Sequence, residues 1–394
     1  MALYRAKLEK IPVVLASATP SLETLKNVKE EKYKVLKLNK RATGANLPTY
    51  HAVDLKGKEL HEGLSKELLE ATQTELDKGN QVLIFLNRRG YAPSMICKAC
   101  GWISNCDRCD ALMTVHKNPL KLHCHHCEAQ KPYPSKCPSC GSDDFLTYGF
   151  GTERVEEFLR GHFPDTKTLR IDSDSTRKKE SLNEYFDEIK KGEPIILLGT
   201  QLLAKGHHFP NVTLVGIIDA DSGLFSADFR GSERVAQLMT QVAGRAGRDK
   251  KPGRVILQSY CLDHPQIEEI ITGSYEKFAK KLLEERKSYK IPPFSFQAKI
   301  FAESPKSLVS RDFILKLLNQ SKIEKQISSN VRIVGPLPSI MEKKSGVYRW
   351  ELSIFSSSRS NLHKFLDVMQ SRLYEPKLTK QVRWSIDVDP LSSI

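Results

Sequence analysis

The feature that most constrains this sequence is a ladder of four C-x-x-C pairs between positions 97 and 140. The pairs are Cys97/Cys100, Cys106/Cys109, Cys124/Cys127 and Cys137/Cys140, and they contain eight of the nine cysteines in the chain. Each C-x-x-C turn directs two thiolates at one metal ion, and a tetrahedral structural Zn²⁺ needs two such turns. The ladder therefore predicts two Cys₄ zinc sites.

Disulfides are the alternative use of these cysteines. No signal peptide is visible at the N-terminus, and outside the ladder the 394 residues contain only Cys261. Secreted disulfide scaffolds are shorter and rich in cysteine throughout. The pattern favours zinc over disulfides and a reducing compartment, the cytoplasm.

Loop lengths bear on which pairs share a metal. Fourteen residues separate Cys109 from Cys124, close to the usual gap of a zinc ribbon, but only five separate Cys100 from Cys106. This favours a nested arrangement, with the two inner pairs on one zinc and the two outer pairs on the other; a cross-braced arrangement stays open. Three histidines lie beside the cysteines and could replace them as ligands, but we expect them to be exposed polar groups. These are His123, His125 and His126.

Composition is that of a globular protein, and the charge balance favours nucleic acid as a partner. Hydrophobic residues make up 40% and charged residues 27% of the chain, and no apolar run is long enough to span a membrane. Lysine and arginine exceed aspartate and glutamate by 61 − 47 = 14, a balance that favours nucleic acid as a partner. Lysine-rich surfaces also arise in AT-rich genomes, so charge alone does not decide this.

Strands and helices alternate on both sides of the cysteine ladder. Strands are predicted at 82–86, 168–171, 195–198, 212–218 and 254–258, and helices at 152–160, 179–190 and 232–243. This alternation predicts a parallel sheet covered by helices on both faces, with ligands at the carboxyl ends of the strands. Upstream, we predict strands at 11–15 and 33–38 and helices at 21–29 and 64–78; the first strand reads as the last one of a domain whose earlier part is missing.

The C-terminal part changes character after position 264. A long helix is predicted at 265–289, ended by the Ile291-Pro292-Pro293 sequence. The elements that follow have the order β-α-β-β-α-β, with strands at 296–302, 331–334, 349–355 and 382–386 and helices at 306–320 and 359–370. That order is typical of a ferredoxin-like domain.

A second motif lies at 240–248. Gln241, Gly244, Arg245 and Arg248 follow the pattern Q-x-x-G-R-x-G-R, and the spacing would place the glutamine and both arginines on one helical face. Two arginine forks so placed can contact the terminal phosphate of a nucleotide. The alternative is a solvated basic helix end, for which two glycines would be a poor choice.

Two strand ends carry polar groups suited to phosphate. Asn87, Arg88 and Arg89 follow one predicted strand, and Gly199-Thr200 follows another, with Lys205 shortly after. Glycine and threonine at a strand end offer backbone N–H groups and a hydroxyl. Each signal is weak alone, but they fall on one sheet edge, so we expect these residues to contact DNA.

No phosphate loop of the form G-x-x-x-x-G-K-[ST] occurs in the sequence. Asp187-Glu188 lies within a charged helix and not after an apolar strand, so it is not a Mg²⁺-binding pair of the Walker B type. The half of a nucleotide site that binds ATP and Mg²⁺ is therefore not visible in this sequence.

Taken together, these segments resemble the PriA family of bacterial primosomal helicases. The resemblance rests on 16–24 (A-S-A-T-P-S-L-E-T, motif III), 85–90 (F-L-N-R-R-G, motif IV), 199–210 (motif V), 225–230 and 240–248 (motif VI), the cysteine spacing and the closing D-V-D-P at 387–390. It covers essentially the whole chain.

The resemblance implies an α/β fold with a RecA-like second helicase lobe, an inserted two-zinc ribbon and a small α+β C-terminal DNA-binding domain. The expected boundaries are 1–25 for a remnant of the first lobe, 26–80 for the connection between lobes, 81–96 and 141–263 for the second lobe, 97–140 for the zinc insertion, and 264–394 for the C-terminal domain. The family's 3′-end-binding domain, winged helix and first lobe have no counterpart here.

The function implied is replication restart on forked DNA by a monomer. Partners implied by the resemblance are primosome proteins, single-stranded DNA-binding protein and the loading factors of the replicative helicase, with no membrane contact. Gln241, Arg245 and Arg248 would contact ATP, and Mg²⁺ would bind, only if a first lobe were present. This chain alone should therefore not hydrolyse ATP. The alternatives are a zinc-stabilised DNA-binding scaffold and the downstream half of a split or decayed helicase gene.

Overall fold

The structure is a computed structural model of the chain. It describes residues 2–38, 47–86, 94–97, 99–100, 102–109, 111–117, 120–124, 127–148, 152–172, 179–204, 209–218, 220–221, 228–247, 251–272, 274–321, 330–374 and 381–391.

The strands, in chain order, are β1 (Thr49–Asp54), β2 (Leu60–His61), β3 (Leu64–Ser65), β4 (Gln81–Phe85), β5 (Ser94–Cys97), β6 (Thr114–Lys117), β7 (Leu120–His123), β8 (Gln130–Pro132), β9 (Phe145–Tyr148), β10 (Lys167–Ile171), β11 (Ile195–Gly199), β12 (Val212–Ile217), β13 (Arg254–Ser259), β14 (Phe296–Ser304), β15 (Arg332–Lys344), β16 (Val347–Ser356) and β17 (Arg383–Val388). The helices are α1 (Ala2–Glu9), α2 (Leu22–Lys29), α3 (Lys66–Asp77), α4 (Thr152–His162), α5 (Lys179–Lys190), α6 (Gln201–Ala204), α7 (Gly231–Ala243), α8 (Pro265–Ile271), α9 (Tyr275–Ser288), α10 (Ser307–Ser321) and α11 (Arg359–Leu373).

The largest sheet has six strands in the order β1-β13-β12-β4-β11-β10, and every neighbouring pair is parallel. All residues of β4, β11 and β12 are buried, because helices cover both faces and the strands therefore need apolar side chains on both sides. One face packs on α2, α7, α8 and α9, and the other on α3 and α4. The predicted α/β architecture is confirmed.

The cysteine ladder lies in a separate antiparallel sheet between β4 and α4, with the strand order β8-β7-β6-β5-β9. Its small core consists of Met95, Met113 and Leu122 with three cysteines of the ladder. Such a core is too small to hold a sheet alone, which is why a domain of this size depends on metal.

The C-terminal part forms an antiparallel sheet in the order β15-β16-β14-β17, with α10 and α11 on one face. The chain order β-α-β-β-α-β with this arrangement is that of the predicted ferredoxin-like domain, which is confirmed. The central hairpin is longer than the sequence predicted, because β15 and β16 continue to a tight turn at Ser345 and Gly346.

Four predicted elements need correction. The strands at 11–15 and 33–38 do not form, and Val14 and Leu36 are 86% and 91% exposed. The helix predicted at 265–289 is two helices, α8 and α9, with Thr272 as the C-cap of one and Ser274 as the N-cap of the other. The helix predicted at 64–78 starts later, after the β2–β3 hairpin, with Ser65 as its N-cap.

The edge strand β1 of the parallel sheet was not predicted. The stretch 26–80, expected as a connection, contributes β1 to the edge of the parallel sheet and α3 to one of its faces. A helix with both the length and the apolar character to cross a membrane is not found in the described part of the chain.

Candidate functional site

The eight thiols of the ladder fall into two groups in space. The outer cluster is Cys97, Cys100, Cys137 and Cys140, and the inner cluster is Cys106, Cys109, Cys124 and Cys127. Within each cluster the four sulfur atoms lie within 4.8 Å of one another. This is the nested grouping favoured by the loop lengths, and it is not the cross-braced one.

Distances between the sulfur atoms decide between metal and disulfide. The Cys97 and Cys140 sulfurs are 3.6 Å apart, and the Cys106 and Cys127 sulfurs are also 3.6 Å apart. A tetrahedral Zn²⁺ with Zn–S bonds of about 2.3 Å separates its sulfur ligands by about 3.8 Å, whereas a disulfide holds them at about 2.05 Å. The two clusters therefore fit two zinc ions, which would hold the ribbon's loops together.

The local backbone explains why C-x-x-C turns form here. In all four pairs the N–H of the first cysteine donates to the carbonyl five residues further along, at 2.7–2.9 Å; the acceptors are Trp102, Ala111, Ala129 and Ser142. This bond closes a tight turn that points both thiols to its inside. The arrangement is thus encoded locally, and the two clusters arise when pairs of turns face each other.

The prediction for the neighbouring histidines was wrong for His123. Its side chain is only 8% exposed, and its Nε2 atom is 2.9 Å from a carboxylate oxygen of Glu128. His125 and His126 lie outside the described residues. Through this contact with Glu128, His123 stabilises the turn that begins at Cys124, and it is not a solvated surface group.

The motif at 240–248 spans the end of α7. Gln241 donates from Nε2 to the hydroxyl of Thr19 at 2.9 Å. This bond connects residues 17–20, the Ser-Ala-Thr-Pro segment, to the helix. The helix ends at Ala243, so Arg245 lies in the following turn and not on the helical face that the spacing predicted. Its buried guanidinium lies 6.0 Å from the centre of the Phe209 ring. Arg248 lies outside the described residues.

A glycine contact fixes the shape of that turn. Gly247 has φ +62°, and a Cβ atom there would come within 2.4 Å of the backbone nitrogen of Gly253. Its N–H donates to the Val212 carbonyl at 2.9 Å. Glycine is therefore required at position 247, because its backbone lies directly against that of Gly253 while its N–H bonds to the first residue of β12.

The strand-end residues are described only in part. Gly199 is the last residue of β11 and Thr200 follows it, and both are buried. Asn87, Arg88, Arg89 and Lys205 lie outside the described residues. A Cβ atom on Gly199 would meet the carbonyl oxygen of Ile171 at 2.4 Å. The glycine thus has a packing reason independent of any phosphate.

Sequence reasoning missed a buried ion pair beside this motif. Glu233 on α7 and Arg286 on α9 are joined at 2.8 Å, with side chains only 6% and 2% exposed. The other carboxylate oxygen of Glu233 accepts the N–H of Leu22 at 3.0 Å. The pair therefore links α7 and α9 to the segment that carries the Ser-Ala-Thr-Pro sequence.

Two more contacts hold that segment. Burial alone would raise the pKa of the Glu23 carboxyl, but the charge and hydrogen bond of Arg230, at 2.6 Å, outweigh it and lower the pKa below 4.5. Burial raises the pKa of Tyr275 to about 12, so its hydroxyl stays protonated and donates to the Pro20 carbonyl at 2.7 Å. Residues 19–24 are thus docked on the parallel-sheet lobe by several independent bonds.

Comparison with known proteins places this geometry in a family. The "Helicase conserved C-terminal domain" matches residues 142–250, the "PriA DNA helicase Cys-rich region (CRR) domain" matches 106–132, and the "Primosomal protein N C-terminal domain" matches 287–391. Each matched range overlaps one of the three larger sheets.

Several bacterial replication restart proteins align along almost the whole chain. The chain is 46% identical over 390 residues to the replication restart protein PriA of Haemophilus influenzae, 41% identical to that of Rickettsia conorii and 36% identical to that of Bacillus subtilis. Each alignment covers 99% of this chain but only 53%, 60% and 49% of the respective relative. The chain thus spans about half the length of the proteins it matches, and the match is to their C-terminal half.

Proposed function

Because this chain belongs to the PriA family of replication restart proteins, whose C-terminal half it matches, we propose that it binds forked DNA and helps to reload the replication machinery. In this proposal the second helicase lobe comprises 81–96 and 141–263, together with β1 and α3. The zinc insertion is 97–140, the C-terminal DNA-binding domain is 264–394, and 1–25 contributes the edge of a first lobe.

The observation that carries the proposal is the continuity of the match. The 99% of the chain that aligns with the Haemophilus influenzae relative includes the parallel sheet, both cysteine clusters and the C-terminal sheet. A helicase lobe alone or a zinc ribbon alone supports many functions. The combination in this order supports replication restart.

In this proposal the residues at the end of α7 form a nucleotide site only together with a first helicase lobe. Arginines can stabilise the charge of a phosphoryl-transfer transition state, worth roughly 10³–10⁵ in rate, but they cannot hold Mg²⁺ or align the attacking water. Gln241 is already bonded to Thr19, so it would link the nucleotide's position to the Ser-Ala-Thr-Pro segment. We therefore expect ATP and Mg²⁺ to act only with a complementary lobe.

DNA is the partner that the chain's charge supports. An excess of 14 positive charges favours a polyanion, and each phosphate contact releases a counterion. The proposed contacts are Asn87, Arg88, Arg89, Thr200 and Lys205, with Gly199 supplying backbone. Primosome proteins, single-stranded DNA-binding protein and helicase-loading factors are proposed protein partners, in the cytoplasm.

Fluorescence anisotropy with a labelled fork tests DNA binding. The chain should bind forks with an affinity that falls steeply between about 50 and 200 mM salt. Arg88→Ala should lower the slope of log K against log salt by about 1, whereas Arg5→Ala, whose arginine pairs with Glu9 on exposed α1, should leave it unchanged. Binding that does not depend on salt, or no binding to forks, would refute this part.

Phosphate release tests the nucleotide site. The purified chain should not hydrolyse ATP with or without DNA. Adding the N-terminal half of the Haemophilus influenzae relative should restore DNA-stimulated hydrolysis, and Arg245→Ala should abolish it. A rate in the isolated chain that Arg245→Ala removes would mean that a catalytic half is present after all.

A further inference from the structure

The tip of the C-terminal hairpin rests on the inner cluster. The N–H of Gly346, in the turn between β15 and β16, donates to the carbonyl of Arg108 at 2.7 Å. The Nζ atom of Lys343 donates to the carbonyl of Asp107 at 2.9 Å. The 106–109 turn, which supplies half of one metal site, is thereby held by a hairpin more than two hundred residues away in sequence.

One of these contacts reaches a metal ligand directly. The N–H of Ser345 donates to the sulfur of Cys109 at 3.2 Å. Four thiolates around one Zn²⁺ leave an excess of negative charge on the sulfurs, which N–H donors stabilise. Neighbouring backbone N–H groups donate to sulfurs in both clusters, as Arg108 does to Cys106 at 3.4 Å and Ser142 to Cys140. The Ser345 donor differs because it belongs to a distant segment of the chain.

Apolar packing accompanies the hydrogen bonds. Met341 of β15 is 9% exposed and belongs to the same hydrophobic cluster as Met95, Met113 and Leu122 of the ribbon. The hairpin thus contacts the ribbon through a side chain in the ribbon's own core as well as through its tip. A loose surface contact would provide neither a side chain in the ribbon's core nor backbone hydrogen bonds to the metal-binding turn.

We propose that the hairpin tip at 343–346 is an outer-sphere part of the inner zinc site, so that zinc in this cluster and docking of the C-terminal sheet stabilise each other. Coupling of this kind is reciprocal: if docking tightens metal binding, metal tightens docking by the same factor. The outer cluster has no share in it. The proposal does not depend on DNA or nucleotide binding.

The first experiment perturbs the tip and reads the metal sites. Gly346 has φ +85°, and a Cβ atom there would meet nothing within 4 Å, so Gly346→Val strains the turn through its backbone alone. Gly57→Val is the matched control, because Gly57 has φ +72° and equally open surroundings in a turn elsewhere. Chelator is added to the two-zinc chain, and pulsed alkylation with mass spectrometry reports each cysteine separately.

Gly346→Val should speed labelling of all four inner cysteines by about 10–100-fold, the usual effect of losing an outer-sphere partner, and leave the outer four unchanged. Gly57→Val should change neither cluster. If only Cys109 is labelled faster, the tip merely covers that sulfur, and the proposal is wrong. Equal acceleration of both clusters, or none, overturns it too.

The second experiment perturbs the metal and reads the tip. Cys127→Ser removes an inner ligand and leaves Cys109, whose sulfur accepts the Ser345 N–H, in place. Cys140→Ser removes an outer ligand. Hydrogen exchange of the amides of Ser345 and Gly346 should accelerate in Cys127→Ser and stay at the native rate in Cys140→Ser. Equal exchange in the two variants would contradict the coupling, whatever the first experiment gives.

Discussion

Replacing Arg286 with methionine should loosen the packing of α7, α9 and the segment that begins α2. The methionine keeps an unbranched apolar stem in the same space, but it removes the charge that faces Glu233 at 2.8 Å. It also removes the hydrogen bond to the Pro292 carbonyl, at 3.3 Å, in the stretch between α9 and β14. The N–H of Leu22 then remains as a partner of the buried carboxylate.

The burial of both side chains sets the magnitude. Breaking a buried ion pair by removing one partner costs roughly 3–5 kcal/mol, because the other charge stays buried without compensation. At about 1.4 kcal/mol for each factor of ten, the opening equilibrium of this region should rise by roughly two to three and a half orders of magnitude. Glu233→Gln combined with Arg286→Met removes both charges and should recover most of that loss.

Native-state hydrogen exchange is the suitable assay, since it measures local opening and does not require that the whole chain unfold in one step. The amide of Leu22, bonded to Glu233, is the reporter. Lys281→Met is the control, because Lys281 lies on the same helix in a solvent-screened pair with Glu269, whose loss should change local stability little. Equal effects of Arg286→Met and Lys281→Met, or no recovery in the double variant, would refute the reasoning.

Two further predictions concern the metal sites and the turn after α7. The chain purified without added zinc should contain two zinc ions by metal analysis, and Cys106→Ser and Cys137→Ser should each remove one from a different cluster; loss of both ions from either change would contradict the two-site arrangement. Gly247→Ala should lower the melting temperature more than Gly79→Ala: both residues have positive φ, but only the first would place a Cβ atom 2.4 Å from backbone, an overlap that costs about 1–3 kcal/mol. Equal shifts by calorimetry would show that the close approach is not a constraint.

The sequence predicted best where structure is encoded locally. The short, largely apolar runs of β4, β11 and β12 are typical of strands buried on both faces, and all three form as predicted. The cysteine turns are also local, because each closes through a hydrogen bond over five residues. Loop length then sufficed to favour the pairing of turns that the structure has.

Prediction failed where a strand depends on a neighbour. The apolar runs at 11–15 and 33–38 have the composition of strands, but a strand needs a ladder partner, and its sequence does not reveal whether one exists. Conversely, β1 has a mostly exposed, polar-looking sequence, T-Y-H-A-V-D, and becomes a strand because β13 offers a free parallel edge. In both cases tertiary context overrides local preference.

The contacts that build the site could not be predicted from the sequence, for a related reason. Gln241 meets Thr19 across 222 positions, and Ser345 meets Cys109 across 236. Motif spacing identifies residues on one turn or one helix, but it does not say which distant segment lies against them. The histidine prediction failed in the same way, since the burial of His123 depends on how the ribbon strands pair.

The Glu233–Arg286 pair is different, because helical periodicity contains a signal for it. On α9 the buried residues Phe278 and Leu282 are followed four positions later by Arg286, so the arginine occupies the next place on the apolar stripe. On α7 Glu233 stands three positions before buried Ala236, on the core side of its helix. A charge at a core position is unfavourable unless an opposite charge meets it. Two opposite charges, each on the apolar stripe of its helix, therefore predict each other, and this contact between α7 and α9, which pack on the same sheet face, could have been inferred from sequence.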